Sequence, residues 1–255
     1  MRAMWIGSEL ARRLGLGNEF FDRQEGFITQ PGSYFLENAE NLYGLWLVAL
    51  QYYPKAMADE AKCAEVGLGE AKGNPPLRTF QGRAAHGAMT VTNDWIVVHL
   101  VTIIEAYIKA ILEYHARMDS SVLIASSEVV SVRTDQLLEA SENNETHRLL
   151  VRYWVKAWLK RRENPKAWIN GFTEMGVTTF PSSLKSKLEA MLGVRHLLVH
   201  SAGHVDEEFL SRHAGCKYSL GEKLILSDSE VRDFISTAFY FFAPIESHFT
   251  KLHVS

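Results

Sequence analysis

An arginine and two histidines lie close together on one predicted helix, over residues 182–202. On a wheel of about 100° per residue, Arg195 falls within the apolar arc centred on Leu188. A guanidinium matches a phosphate or a carboxylate, and an imidazole exchanges a proton near neutral pH. Because arginine is rarely fully buried without a partner, Arg195 is predicted to meet an acid, to face a cleft or to extend to solvent at the edge of the arc. Glu105 is the candidate acid.

His196 and His200 share one flank of this helix, and Arg195 and His200 form the motif R-x4-H. Chance alone supplies roughly 0.6 such pairs in a chain of this composition, so the bare motif is weak. His204 continues the four-residue spacing, and acidic residues follow it, which raises a metal site as an alternative: Asp206, Glu207 and Glu208. Gly203 is expected to end the helix before His204 aligns, and no HExxH pattern is present. We therefore predict no metal.

Most of the chain repeats its apolar residues with helical spacing, so the fold class is predicted to be mainly α. The clearest helix follows a cap at Asn93 or Asp94, and its apolar stripe contains Ile96, Val97, Leu100, Val101, Ile104, Tyr107, Ile108, Ile111 and Leu112. Other helices are predicted over about 37–65, 122–141, 146–162 and 182–202. The first of these is expected to bury Leu42, Leu45, Trp46, Ala49 and Tyr53. Glycine and proline over 67–87 indicate a long loop or a sub-domain boundary.

The C-terminal part of the chain is predicted to hold a short hairpin and a last helix. Residues 218–226 are consistent with a β-hairpin that turns near Gly221, and Ser227 with Glu230 forms a capping box. The whole pattern predicts an antiparallel helical bundle over 91–255, preceded by an N-terminal helical extension and loop over 1–90.

The composition excludes several classes of protein. With 47% hydrophobic and 22% charged residues, the chain is expected to be globular, neither collagen-like nor disordered. Its formal net charge of −3 shows no global preference for nucleic acid or membrane, and two cysteines are too few for a disulfide framework. The apolar runs identified in the sequence are shorter than a membrane span, and the N-terminus lacks a secretion signal. We therefore predict a cytoplasmic protein without membrane contact.

One segment departs from this charge balance. Between residues 148 and 166, seven basic residues stand against the single acid Glu163. Four of them step by four along one helix face, called the basic face below: Arg148, Arg152, Lys156 and Lys160. Trp154 and Trp158 interleave with them and are expected to belong to the core, whereas the basic face is predicted to bind RNA phosphates. A solvated face without a ligand is the alternative.

The segment RHLLVHSAGHVDEEFL, over 195–210, closely resembles the signature of HEPN-domain proteins. A polar residue follows the arginine, an aliphatic run ends in Val-His, and a glycine and an acidic stretch come next. The helix LVTIIEAYIKAIL is similar to the first helix of that domain, with Glu105 in its acidic position, and the GEKLILS segment is similar as well. Ser201 replaces the asparagine of many relatives and still offers a hydrogen bond. The resemblance extends from about residue 92 to the C-terminus.

This resemblance implies a homodimer in which two R-x4-H motifs share a cleft, and in many members that cleft is a metal-independent endoribonuclease without a cofactor. His200 would take the proton of a ribose 2′-hydroxyl, and Arg195 would stabilise the phosphate. His196, or His200 of the partner subunit, would protonate the leaving 5′-oxygen. Glu105 would orient Arg195.

The biological role implied by the resemblance is that of a toxin or phage-defence effector. Its substrate would be RNA, and an antitoxin or a defence-system protein would be its partner. Two alternatives stay open: a non-catalytic HEPN-like module that binds RNA or protein, and a helical adaptor in which Arg195 is structural.

Overall fold

The computed structural model describes residues 29–67, 77–125, 128–213 and 215–254. The protein is mainly α, as predicted, and these ranges contain no β-strand. The helices are α1 (Gln30–Gly67), α2 (Leu77–Met118), α3 (Ser121–Ala125), α4 (Thr134–Glu142), α5 (Thr146–Arg161), α6 (Pro165–Glu174), α7 (Leu184–His200), α8 (Glu207–Arg212) and α9 (Asp228–Val254).

The described residues form two compact units, each assembled from separate segments of chain. Unit 1 takes the residues up to 38, those of 102–190 and those from 236 onward, and unit 2 takes those of 39–101 and 191–235. The division of the chain into 1–90 and 91–255 stays a prediction, and its boundary falls inside α2.

The core of unit 1 holds aromatic rings and a buried carboxylate. Phe35 stacks on Phe242 with 4.3 Å between ring centroids, and both rings contact Tyr107. Glu246 is only 2% exposed, and its carboxylate accepts hydrogen bonds from the hydroxyls of Tyr107 and Thr29 and from the Thr29 amide. These bonds compensate for burying the acid and hold the start of α1 against α9.

In unit 2, the helix predicted to start at Asn93 or Asp94 begins earlier in the chain. Helix α2 begins at Leu77, so Asn93 is an internal residue and not a cap. The Asn93 side chain accepts from the Trp46 indole at 3.0 Å and donates to the Leu226 carbonyl at 3.0 Å. Its amide satisfies polar groups of the core, which explains a buried polar residue within an apolar stripe. The stripe from Ile96 to Leu112 is buried as predicted.

Two further predictions about the first half of the chain are wrong. Residues 77–87 are helical and not a loop, because extending an established helix adds one hydrogen bond per residue and outweighs the cost of single glycines. The remainder of that predicted loop, 68–76, lies outside the described residues, as do the contacts of Tyr53. Leu45 was expected in the core but is 49% exposed.

The helix predicted over 122–141 is also wrong. The chain forms α3, then a non-helical segment that includes 128–133, and then α4. Val129, Val130 and Val132 disfavour a helix because their branched side chains restrict the χ1 angle. Glu128 binds the buried Arg162 at 2.5 Å, which fixes this segment beside the end of α5.

Elements with local start and stop signals are confirmed. Helix α5 ends before Asn164, whose side chain caps α6 by accepting from the Ala167 amide. The capping box forms as predicted: the Ser227 amide donates to Glu230 at 2.8 Å, and the Glu230 amide donates to the Ser227 hydroxyl at 3.3 Å.

The predicted hairpin is not confirmed. A turn forms at Gly221, but within the described part of 218–226 the only strand-like pairing is a single bridge between Lys223 and His204. The Tyr218 hydroxyl donates to the Ile225 carbonyl at 2.7 Å. A side-chain hydrogen bond thus helps to close this turn, for which the sequence predicted a strand ladder.

One segment of α2, Met89–Met118, is long and apolar enough to cross a bilayer by length and composition. A search for uninterrupted apolar runs overlooks it because polar residues are spaced along it. Half of its most apolar window is buried inside the protein, and core helices of soluble proteins pass the same test. The segment is therefore weak evidence for a membrane span, and the cytoplasmic location stays a prediction.

Candidate functional site

Helix α7 carries the three residues of the R-x4-H segment. In unit 2, its side chains Met191, Val194 and Leu197 are at most 6% exposed. Arg195 continues the arc of the wheel that is centred on Leu188, as the sequence predicted. Its intermediate exposure is consistent with that position.

Arg195 is half-buried, and its Nε atom has no hydrogen-bond partner among the described residues. A buried donor without an acceptor costs free energy that a ligand oxygen would recover. Guanidinium groups form their strongest hydrogen bonds with anionic oxygens such as those of phosphate. Within the described part of the chain, Arg195 is thus a half-buried cation with one unsatisfied donor.

His196 and His200 are both exposed and lie side by side on α7. Their ring centroids are 4.7 Å apart, and the rings are tilted by 43°. Two imidazoles at this distance can act on one bound group, one by accepting and one by donating a proton.

A tight turn follows His200 and ends the helix. Ala202 has φ of +48° and Gly203 φ of +77°, and a Cβ on Gly203 would lie 2.8 Å from the Lys223 ammonium. Lys223 donates to the Ala202 carbonyl. Burial raises the pKa of Asp94, although the nearby positive charge of Lys223 opposes this shift. The expectation that the helix ends before His204 is confirmed.

Asp206 contacts this turn, a contact that the spacing of residues along the chain does not predict. Its carboxylate accepts from the Phe209 amide at 2.8 Å and from the Ser201 hydroxyl at 3.2 Å. In the sequence, Asp206 belongs to an acidic stretch and to the alternative metal site. An aspartate followed by two glutamates is also the signature of a helix start, and that signal predicts the cap of α8.

Glu105 belongs to unit 1, whereas Arg195 belongs to unit 2. The Glu105 side chain is exposed on α2. Its role as the acid that orients Arg195 stays a prediction.

The basic face lies on α5 in unit 1, and all four of its side chains are exposed: Arg148, Arg152, Lys156 and Lys160. Trp154 and Trp158 are 1% exposed, which confirms their place in the core. Trp168 is buried as well, and Tyr153 donates its hydroxyl to Gln136 at 2.6 Å. The four cations of the basic face are therefore accessible to a ligand, whereas Trp154 and Trp158 pack in the core.

A cavity of about 470 Å³ adjoins the start of the basic face. Its charged lining holds both signs and comprises Glu113, Arg117, Glu139, Glu145, Arg148 and Arg152. Arg148 pairs with Glu145 at 3.2 Å, and Arg117 pairs with Glu113 at 3.5 Å. The three acids offset the three arginines, so the cavity by itself does not select an anion.

Among the residues that the structure describes, no group of three or more histidine, cysteine or acidic side chains could hold a metal ion. No family model, no curated protein and no solved structure matches this chain.

Proposed function

We propose that this chain is a metal-independent endoribonuclease of the HEPN type, with a HEPN-like helical bundle over 91–255. It cleaves RNA by attack of a ribose 2′-hydroxyl on the neighbouring phosphate. Arg195 and His200 are its principal catalytic residues, with His196 beside them and Glu105 orienting the arginine.

The observation that carries this proposal is the state of Arg195. Its Nε is buried without a partner in the described part of the chain, on the same helix as two exposed imidazoles 4.7 Å apart. Among the unpartnered buried atoms of the described residues, Arg195 Nε is the one that belongs to a guanidinium beside two imidazoles on one helix. A phosphate held by this guanidinium would lie on the helix that carries the two histidines.

The residue chemistry accounts for each step of the reaction. His200 removes the proton from the 2′-hydroxyl, and the resulting alkoxide attacks phosphorus. Arg195 stabilises the charge that develops on the phosphate oxygens. His196, or His200 of the partner subunit, donates a proton to the departing 5′-oxygen. The products are a 2′,3′-cyclic phosphate and a 5′-hydroxyl, and the protons balance within the histidines.

The basic face supports an RNA substrate. Its exposed cations can neutralise several phosphates of a single strand, and affinity of this kind is independent of sequence. The proposed role as a toxin or phage-defence effector, controlled by an antitoxin or defence-system partner, follows from the family resemblance. The competing function is a non-catalytic HEPN-like module that binds RNA or protein.

The direct test is cleavage of total RNA by purified protein in the presence of EDTA. We expect the wild type to leave 2′,3′-cyclic phosphate ends, which mass spectrometry identifies. Arg195→Ala and His200→Ala are each expected to lose at least about 100-fold in rate, because each removes a group needed in the transition state.

His204→Ala is the matched control, since it removes an exposed histidine only four residues beyond His200. It is expected to retain the wild-type rate. An inert wild type that still binds RNA would favour the non-catalytic module. Loss of cleavage in EDTA alone would contradict a metal-independent reaction.

A further inference from the structure

The cavity of about 470 Å³ at the start of the basic face lies within unit 1 and is called the α4–α5 cavity below. The end of α2, helix α4, the connection after it and the first turns of α5 supply its lining. Ala140 and Val151 are the buried part of that lining, so the cavity reaches down to the core. Its volume falls within the range of about 300–1,000 Å³ that is usual for small-molecule and cofactor sites.

Two charged side chains of this lining, one of each sign, are available to a ligand. The two ion pairs described above occupy four of the six charged residues. The side chains of the other two, Arg152 and Glu139, have no hydrogen bond or ion pair within the described part of the chain. A ligand that complements the cavity therefore carries an anion for the arginine and hydrogen-bond donors for the carboxylate.

Two amide side chains add neutral donors and acceptors to the α4–α5 cavity. Gln136 accepts from the Tyr153 hydroxyl at 2.6 Å through its oxygen, which leaves its NH2 group for a ligand. Asn143 donates to the Glu139 carbonyl at 3.0 Å through its nitrogen, which leaves its oxygen for a ligand. The lining thus offers both donors and acceptors, as recognition of the edge of an unpaired base requires.

We propose that the α4–α5 cavity binds one guanine nucleotide of the RNA substrate, with Arg152 on its phosphate and Glu139 on its base. The inference rests on the proposed RNA-binding role of the basic face, because Arg148 and Arg152 belong both to that face and to the cavity lining. A strand whose phosphates follow the basic face passes the cavity at these two arginines.

The carboxylate of Glu139 selects guanine over the other three bases. A carboxylate accepts two parallel hydrogen bonds, and only guanine presents two adjacent donors, N1–H and N2–H, on its Watson–Crick edge. Adenine and cytosine place an amino group beside an acceptor nitrogen, and uracil has a single N–H between two carbonyls. Guanine also carries the acceptors O6 and N7, for which the Gln136 NH2 group is available.

The test measures the affinity of His200→Ala, which prevents cleavage, for two labelled strands by fluorescence anisotropy. One strand contains only uridine, and the other contains a single central guanosine among uridines. We expect the guanosine to strengthen binding about 5-fold or more, which is the lower end of what a bidentate base contact discriminates. Equal affinity for the two strands would overturn the proposal.

Three variants in this background assign the contacts. Glu139→Gln should remove the guanosine preference, because the glutamine amide places an N–H opposite one donor of the base. Glu142→Gln is the matched control: it makes the same change on an exposed residue of α4 outside the lining, and it should keep the preference. A preference that survives Glu139→Gln, or that Glu142→Gln removes, would overturn the role of Glu139.

The third variant, Arg152→Gln, should weaken the binding of both strands by the same factor, because a phosphate contact carries no base information. A loss confined to the guanosine strand would overturn the placement of the phosphate on Arg152.

Guanosine 5′-monophosphate distinguishes a residue of RNA from a free nucleotide. It should bind more weakly than the guanosine strand, because the neighbouring phosphates of the strand also contact the basic face. Binding at least as tight as that of the strand would overturn the RNA assignment in favour of a free guanine nucleotide.

These binding measurements separate the inference from the ribonuclease function, because none of them depends on cleavage. A guanosine preference in a protein whose wild type is inert supports the cavity proposal and refutes the ribonuclease. Cleavage by the wild type without a guanosine preference in binding supports the ribonuclease and overturns the cavity proposal.

Discussion

At the scale of single residues, this protein buries polar groups in two different ways. Glu246 is buried with three hydrogen bonds, and Arg162 is buried against Glu128, Glu174 and the Trp158 ring. Both are satisfied inside unit 1. Arg195 differs because its buried Nε has no partner among the described residues, a state that it shares with Trp158 Nε1 and Thr250 Oγ1, and the match of its guanidinium to phosphate is what supports a role in binding.

Glu246 makes the stability of the protein depend on pH. Burial raises its pKa above the usual 4.5, although its hydrogen bonds oppose the shift. The folded state therefore holds the proton more tightly than the unfolded state, so this group's contribution is full below about pH 4.5 and is lost as pH rises through the folded pKa. Urea unfolding from about pH 4 to about pH 8 should show wild type losing stability relative to Glu246→Gln. Parallel curves for the two proteins would contradict this expectation.

At the scale of elements, a contact with a distant part of the chain holds the start of α1. Thr29 caps α1 by accepting from the Gly32 amide, and its hydroxyl donates to Glu246 of α9. The start of α1 thus depends on a residue more than 200 positions away. Local signals sufficed only where cap and partner are neighbours, as for Ser227 and Glu230.

Two glycines of α1 are predicted to respond oppositely to alanine. A Cβ on Gly32 would clash with the Glu246 carboxylate, so Gly32→Ala should cost about 1–3 kcal/mol of unfolding free energy. No atom lies within 4 Å of a Cβ on Gly44, so Gly44→Ala should gain about 0.5–1 kcal/mol by favouring the helix. Denaturant unfolding of both variants measures this difference. Equal effects of the two substitutions on the unfolding free energy would contradict the close approach of Gly32 to the Glu246 carboxylate.

The basic face makes a separate prediction for RNA affinity. In a His200→Ala background, Arg152→Gln with Lys156→Gln should weaken binding of a labelled single strand and reduce the salt slope by about 0.7 for each phosphate that the variant no longer neutralises. Arg133→Gln is the control, because Arg133 is exposed but paired with Asp135 on α4. Fluorescence anisotropy at several salt concentrations measures both quantities. An unchanged salt slope would mean that the basic face is solvated and does not contact RNA.

At the scale of the whole molecule, the proposed reaction depends on two copies of the chain. The family resemblance implies that two R-x4-H motifs share one cleft, so light scattering at micromolar concentration should give about twice the 28.9 kDa of one chain. A mass of one chain would contradict the shared cleft. Cleavage by such a monomer would show that one copy of α7 is sufficient.

The sequence by itself determined the helical class, the buried stripe of α2, the ends of α5 and the capping box of α9. Periodicity and capping are local properties, and residues within a few positions of one another carry them. The sequence also identified Arg195 as an arginine on an apolar arc.

The tertiary structure alone decided what surrounds these residues. It made Asn93 an internal core residue, exposed Leu45, interrupted the helix predicted over 122–141 and placed Asp206 against the turn that follows His200. The reason is physical: burial and hydrogen bonding depend on which distant segments meet. Spacing along the chain predicts which face of a helix a side chain occupies, but not which residues it contacts there.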